Sequence, residues 1–399
     1  MKRLLPSCAL GSSLKLWARG RLDIGWDDLL FALWAPFLPG AAPHRVWPTK
    51  TPHLAVHSVR TAWDALLAVQ NWAPGSEIIL SEANISDMVR IIEAHGLVPV
   101  TVPLNPRTLA VEAKAAEAAV SERTRAILVS PLFGSRMNLE SIGEVARRHK
   151  LLLVEDNAQA FSDTGFQGSP EADVALFSFG LIKTRTALSG AVVFARDAGL
   201  LRALGKQIAP YPRLSTGEFY ARWARAIGLH GLSQPLVFGV LWRVLQWCVI
   251  DPDVWLSQMT RGMKGANLLA AVRRRPHRAT LKLLRRRLHE RGNEQMKWRI
   301  QRGNASLRTL PCAVGRDANF PFFWAFLVAV NDREGLIERA RQEGFDVSFR
   351  ASSVACHGKV ETDFSRTLER VVFLPIGNPM PECEWERLMG IVRDFCGRN

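Results

Sequence analysis

Acidic residues are in short supply. The 399 residues include 37 Asp and Glu against 52 Lys and Arg, a formal net charge of +15. Such an excess points to an anionic partner: a phosphate-bearing small molecule, nucleic acid or an anionic membrane. Tyrosine is scarcer still, two residues against thirteen tryptophans. The six cysteines are scattered and form no C-x-x-C pair. That argues against the disulfide framework of a small secreted domain, and all six read as reduced thiols in a cytoplasmic protein. G-x-G-x-x-G and G-x-x-x-x-G-K-[ST] are missing, so neither dinucleotide binding nor a phosphate loop of the nucleotide-hydrolase kind is supported. No nucleic-acid module is recognisable, so nucleic acid is not an expected partner. No metal site is expected either. The most apolar run, "PLVFGVLWRVLQWCVI" at 235–250, contains Arg243 and Gln246. It falls short of the ~20 residues a spanning helix needs and reads as a buried or interfacial helix. The opening "MKRLLPSCALGSS" is broken by Pro6 and Ser7, which argues against a secretory signal.

What is present is an alternating pattern. Hydrophobic residues make up 48% of the chain, enough for two domains with substantial cores. Residues 1–55 read as an N-terminal arm: a helix around "WDDLLFALW", then the Pro-rich connector "PFLPGAAPHRVWPTKTP". Residues 56–215 read as a large domain in which short strands ("EIIL", "LVPVTV", "RAILVS", "LLLVED") alternate with helices ("TAWDALLAVQNW", "ISDMVRIIEAHG", "LAVEAKAAEAAV", "NLESIGEVARRH"). That pattern predicts a mostly parallel sheet covered by helices on both faces. The strands "ADVALFSF" and "GAVVFA" follow closely on one another, which predicts a mixed sheet. Residues 216–310 read as a helical, Trp-rich and then basic insertion. Residues 311–399 read as a smaller C-terminal α/β domain, with a strand at "FFWAFLVAV".

Two residues carry the chemistry. Asp156 ends the apolar strand "LLLVED", at the carboxyl edge where open α/β sheets bind ligands. A helix-capping carboxylate is the plainer reading of that residue alone. Lys183 follows a second strand and the pair Ser178-Phe179; alone it reads as a solvated turn lysine. A strand-end carboxylate and a lysine together are what pyridoxal phosphate chemistry needs. The amine joins the cofactor's carbonyl, and the carboxylate pairs with the pyridine nitrogen and keeps it protonated.

At these residues the chain resembles the DegT/StrS-like sugar aminotransferases, fold-type I enzymes that use pyridoxal 5'-phosphate. The family runs E-D-x-A-Q-A, then G-D-x-x-x-F-S-F-x-x-x-K and a glycine-rich strand. Here Glu155, Asp156, Ala158, Gln159 and Ala160 match, followed by Asp173, Phe177, Ser178, Phe179 and Lys183. The resemblance covers about 56–200 well and about 320–399 more weakly. It implies Lys183 as covalent anchor and proton shuttle, Asp156 at the pyridine nitrogen, Gln159 near the ring hydroxyl and Ser178 on the phosphate. "SVRTAWDALLAV" stands where the family has a helix start that cradles phosphate, which assigns the Arg60 amide and the Thr61 amide and hydroxyl to that role. Ile85, in "SEANI", stands where the family usually stacks an aromatic on the ring. The glycine-rich run after the lysine keeps only Gly190. The Asn-containing segment that reaches a partner subunit's phosphate is not visible.

The expected activity is transfer of an amino group, from glutamate by resemblance, to a keto group of a nucleotide-linked deoxysugar or related carbonyl compound. The expected partners are that keto substrate, the amino donor and a second copy of the chain in a homodimer. Two rivals stand beside it. One is a pyridoxal phosphate enzyme acting on a lipid-linked or amphipathic substrate, in peripheral contact with the inner face of the membrane. The other is a non-catalytic descendant that binds an anionic partner. The basic segment 261–308, with fifteen Lys and Arg and two acidic residues, reads first as a solvated helix face between domains. Its other readings are a diphosphate clamp and a lipid-docking surface.

Overall fold

The computed structural model describes residues 14–255, 267–290, 294–350, 353–358 and 360–397. The strands are β1 (His53–Val56), β2 (Glu77–Ser81), β3 (Ala83–Ile85), β4 (Val98–Val102), β5 (Thr124–Val129), β6 (Leu152–Asp156), β7 (Val174–Ser178), β8 (Ala191–Ala195), β9 (Phe326–Ala329), β10 (Val354–Cys356) and β11 (Val371–Leu374). Seven of them form one sheet in the order β1-β8-β7-β6-β5-β2-β4. The run from β4 to β7 is parallel; β8 is antiparallel to β7, and β1 is antiparallel to β8. The sheet is therefore mixed, as the close spacing of the last two runs predicts.

The strands are apolar throughout because both faces are covered. Successive side chains point to opposite faces. In β7, Val174 and Leu176 enter the core beneath the helix Val59–Gln70, whereas Ala175 and Phe177 enter the core around Trp47, Phe161 and Phe179. In β2, Ile78 and Leu80 join the first core, and Ile79 a third, against Ile127 and Leu153.

Three local readings change. β1 forms at the end of the Pro-rich connector, where no strand is expected from the sequence; it pairs His53–Val56 with β8 across an edge whose partner has open hydrogen bonds. The helix read over 109–120 shrinks to Ala113–Ala118. Leu109 is left-handed, with φ 53°, and Val111 bridges Leu104. The strand read over 322–330 is only Phe326–Ala329; Phe322 and Phe323 turn into the interior instead.

The sulfur reading also changes. Cys312 and Cys396 form a disulfide with a Cα–Cα distance of 5.3 Å, while Cys248, Cys356 and Cys383 are free thiols. The two bonded residues are 84 positions apart in sequence, so no short spacing marks them as a pair.

The described part of the basic segment is not a solvated face. Arg287 holds Asp23 at 2.9 Å and Asp28 at 2.7 Å, both on the arm. Arg286 holds Asp28 at 2.9 Å, and Lys282 donates to the carbonyl of Ala35 at 2.6 Å. Arg273 pairs with Asp64, Arg274 with Glu218 and Arg302 with Glu382. The helix Arg278–His289 thus binds the arm to the large domain through charge as well as through Leu281, Leu283, Leu284 and Leu288. Residues 261–266 and 291–293 of the basic segment lie outside the described residues.

The helix Pro235–Trp247 buries Phe238, Gly239, Trp242 and Leu245 and exposes Leu236, Val237, Val240, Val244 and Trp247. No described helix is long and apolar enough to cross a membrane.

Candidate active site

A cavity of about 430 Å³ opens at the carboxyl ends of β6 and β7. Six residues singled out in the sequence line it: Arg60, Ile85, Asp156, Gln159, Ser178 and Lys183. Strand alternation explains the choice of carboxylate. Asp156 faces the cavity, whereas the neighbouring Glu155 points the other way and accepts the Ser169 amide at 2.7 Å. The β6–β7 register sets Asp156 opposite Leu176, so Ser178 lies two residues further along the adjacent strand.

Lys183 is carried on a turn rather than a strand. Its amide donates to the Gly180 carbonyl at 2.9 Å, and the Ala187 amide returns to Phe179 at 3.0 Å. Arg185 and Leu188 in the same loop are left-handed, with φ 49° and 67°. Such conformations are costly away from glycine and persist only where the surroundings fix them. Here the Arg185 side chain is fixed by the carbonyls of Arg287 and Glu290, at 2.6 and 2.7 Å. The Lys183 ammonium lies 4.7 Å from the centre of the Trp324 ring, whose indole N–H donates to the Ile182 carbonyl at 3.2 Å.

The two titrating groups are tuned towards each other. Burial pushes Lys183 down to about 8, against the opposing pull of Asp156. The residue is half-buried because it opens on the cavity, yet the atoms around its amine desolvate the charge. At physiological pH a share of it is free amine, the form that attacks a carbonyl. Burial pushes Asp156 up to about 6, against an amide hydrogen bond from Ala158 and the fields of Lys183 and Arg60. No cation stands within ion-pair distance of Asp156 among the described residues, so a protonated ring nitrogen there would meet an unmatched carboxylate.

Gln159 is oriented by its carbonyl, which accepts the Phe133 amide at 2.9 Å. That leaves its NH₂ as the end available to a ligand. Ile85 is held in place by pairing with Val354 of β10.

The helix Val59–Gln70 starts at the cavity with Ser58 as its cap. Thr61 departs from its expected place. Its amide donates to Ser58 Oγ at 3.1 Å, its hydroxyl donates to the Val272 carbonyl at 2.6 Å, and it is fully buried beneath the lining. The amide and hydroxyl of Thr61 are thus hydrogen-bonded inside the protein. Val59 and Arg60 remain at the lining of this helix start, where the helix dipole is positive.

The sequence reading did not single out three residues of the site. Arg222 and Arg225 enter the cavity from the helix Thr216–Leu232, part of the Trp-rich insertion. Trp324, from the start of the C-terminal domain, is not in the lining of this cavity but meets Lys183, its ring centre 4.7 Å from the ammonium. Only the general excess of arginine hinted at the first two. Beside them His57 is buried and held down to about 3, by desolvation first and then by Arg222, Arg274 and Arg60. It is therefore neutral, and this end of the cavity carries cationic charge on Arg60 and Arg222. Arg60 is paired with Asp87 at 2.6 Å; Arg222 has no carboxylate within 4 Å among the described residues. His95 is held by Asp64 at 2.9 Å and His357 meets the Asn84 carbonyl at 3.2 Å, so both serve the framework.

The residues present therefore fit pyridoxal phosphate on three independent counts: an amine at reduced basicity, a buried carboxylate lacking a cation, and a cationic end beside a helix start.

Comparison with known proteins agrees with this geometry. The fold is shared with solved structures: DesI in the presence of its TDP-sugar product (TM-score 0.62, 18% identity, 98% of this chain and 95% of that one) and NtdA of Bacillus subtilis with bound cofactor PMP (TM-score 0.64, 16% identity, 98% and 87%). It is the fold-type I transferase architecture. Within it, residues 49–206 match the model of the DegT/DnrJ/EryC1/StrS aminotransferase family. GDP-perosamine synthase of Caulobacter vibrioides is 33% identical over 149 residues, 37% of this chain and 40% of that protein. L-glutamine:2-deoxy-scyllo-inosose aminotransferase of Streptomyces fradiae is 40% identical over 107 residues, 26% of this chain and 25% of that protein. The matched stretches thus span less than half the length of these curated relatives.

Proposed function

We propose that the chain is a pyridoxal phosphate-dependent aminotransferase that transfers an amino group from glutamate to a keto group of a nucleotide-linked deoxysugar. The convergence on one cavity of Asp156, at the end of β6, and Lys183, on the turn that follows β7, carries this reading. The printed names of the relatives, which include a GDP-linked product and a TDP-sugar complex, support the substrate class.

When bound, pyridoxal phosphate supplies a carbonyl that captures amines and a ring that accepts an electron pair from the substrate carbon. The chain's own residues do the rest. Lys183 holds the group in place through its amine and, once released by an incoming amino donor, carries the proton on and off the substrate carbon. Its lowered basicity keeps it able to do both near neutral pH. Asp156 holds positive charge at the ring nitrogen, and Gln159 offers its NH₂ to the ring oxygen. Ser178, the Arg60 amide and Arg222 bind the phosphate. Ile85 packs on the ring face, giving area without aromatic stacking. The homodimer and the cytoplasmic location implied by the family resemblance belong to the same proposal; light scattering after size exclusion checks the first.

The test is spectroscopic. The purified chain should gain an absorbance band with pyridoxal phosphate, and borohydride reduction should fix the added mass on the peptide containing Lys183. Glutamate should then bleach the unreduced band. Lys183→Ala should show no band and lose at least about 10³-fold in activity. A wild-type chain that forms no band removes the proposal.

A further inference from the structure

A second cavity, of about 210 Å³, lies on the other side of Ile182 and Lys183 from the first. Its walls come almost wholly from outside residues 49–206: Ala18–Asp23 of the arm, the end of the helix Thr216–Leu232, Arg299, Trp324 and the stretch from Phe373 to Gly377. Lys183 lines both cavities.

Arg299 is the anomaly here. It is 6% exposed, its Nε has no partner, and its hydrogen bond is a long one, 3.4 Å, from Nη2 to the Gly377 carbonyl. Arg287 and Arg302 are equally buried, and each holds a carboxylate. Among the described residues Arg299 has none. Asp23, whose field reaches it, is already held by Arg287. A buried guanidinium without a counter-charge is costly to the fold, so its persistence at a cavity wall points to a ligand that supplies the charge. Arg21, on the same wall, repeats the pattern: among the described residues its buried Nε has no partner, and its Nη2 meets His230 Nε2 at 3.4 Å. Burial and Arg21 both hold His230 below its ordinary basicity, so the ring is neutral and an acceptor.

The remaining wall limits the ligand. Asp23 and Asp253 line the cavity too, which opposes the concentrated charge of a diphosphate. Leu22, Leu229, Phe238, Phe373 and Ile376 give it an apolar surface, suited to a short methylene chain. We infer that this cavity seats the carboxylate of the amino donor, a short acidic amino acid or its oxo acid, with Arg299 as the principal cation and Arg21 as the second. This rests on the aminotransferase reading, and it assigns recognition of the donor to the arm and insertion rather than to the family domain.

The experiment uses the full chain loaded with pyridoxal phosphate, so that the first cavity is filled. Succinate, inorganic phosphate and uridine diphosphate are titrated separately while tryptophan fluorescence and melting temperature are read. Succinate should saturate with a clear fluorescence change. Arg299→Gln should weaken it about tenfold or more, Arg299→Lys should restore part, and Arg21→Gln should weaken it about threefold. In turnover, Arg299→Gln should raise KM for the donor and leave KM for the acceptor unchanged. Unaltered succinate affinity in both Arg299→Gln and Arg21→Gln overturns the inference, as does tighter binding of phosphate or uridine diphosphate than of succinate. If Arg299→Gln does not fold, Arg21→Gln decides alone. Failure to form the cofactor band strikes the functional reading instead; succinate binding to the cofactor-free chain that Arg299→Gln abolishes would still support the anion seat.

Discussion

The two halves of the molecule are held together in different ways. The sheet domain that carries Asp156 and Lys183 is built on apolar strands, and its site residues are placed by strand ends and register. The arm and the basic insertion are joined by buried ion pairs: Arg287 with Asp23 and Asp28, and Arg286 with Asp28; Arg19 ties the arm to the C-terminal domain through Asp346. Apolar burial is non-directional and tolerates variation. A buried ion pair is specific, because the loss of either partner strands the other. The difference teaches why the excess positive charge is a poor guide to partners here. Much of it is already matched inside the chain, and what matters is the small remainder that is not.

The largest expected effect comes from breaking the ionic side. Arg287→Ala removes a guanidinium 7% exposed and leaves Asp28, 2% exposed, without its closest cation. We expect a loss of about 3–5 kcal/mol in chemical denaturation. Replacing Phe166, half-buried against Phe177 in the apolar core of the sheet domain, by Leu should cost far less. Equal costs would erase the contrast between the two regions.

The next effect sharpens the apolar side. In the cofactor-free chain the Asp156 carboxyl stands at about 6, above the ordinary 3.8, because burial disfavours its charge. The folded state therefore binds the proton more tightly than the unfolded state does. Its contribution to stability is complete below about pH 3.8 and is lost as pH rises through about 6. Asp156→Asn should abolish this fall. It should make the cofactor-free protein more stable at pH 7.5, by roughly 1–3 kcal/mol, while weakening cofactor binding. Denaturation at several pH values and cofactor titration measure the two together.

The smallest effect falls outside both regions. Val244 is 48% exposed on the helix Pro235–Trp247. Val244→Lys should change stability by no more than about 0.5 kcal/mol. A larger loss would mean that this face is covered in the working protein.

The strand-borne half of the site was legible in the sequence because period-2 patterning places strand ends, and Asp156, Ser178 and Lys183 sit at or just beyond them. Gln159 and Ile85 followed from the same motifs. Thr61 lies beneath the lining rather than in it because a hydroxyl at a helix start has competing acceptors; it donates to the Val272 carbonyl, 211 residues away. Arg222, Arg225 and Trp324 were invisible for a related reason. Arg222 and Arg225 reach the cavity, and Trp324 reaches Lys183, through tertiary packing of segments with no strand register to fix them. The ion pairs of the basic segment and the Cys312–Cys396 bond join residues far apart in sequence, which local patterning cannot pair. β1 was hidden by the prolines before it, since an edge strand needs only a partner with open hydrogen bonds.

The short ladder between β3 and β10 has a mechanical consequence. Ile85 stands opposite Val354 in the antiparallel register, and Val354 also lines the first cavity. The C-terminal segment therefore grips one lip of the cavity directly. Any rocking of that segment against the sheet is transmitted as a displacement at Ile85, while Asp156 is fixed within β6. Distance from Lys183 along the chain is consequently no measure of isolation from it: a substitution near residue 354 acts on the lever, not at the periphery.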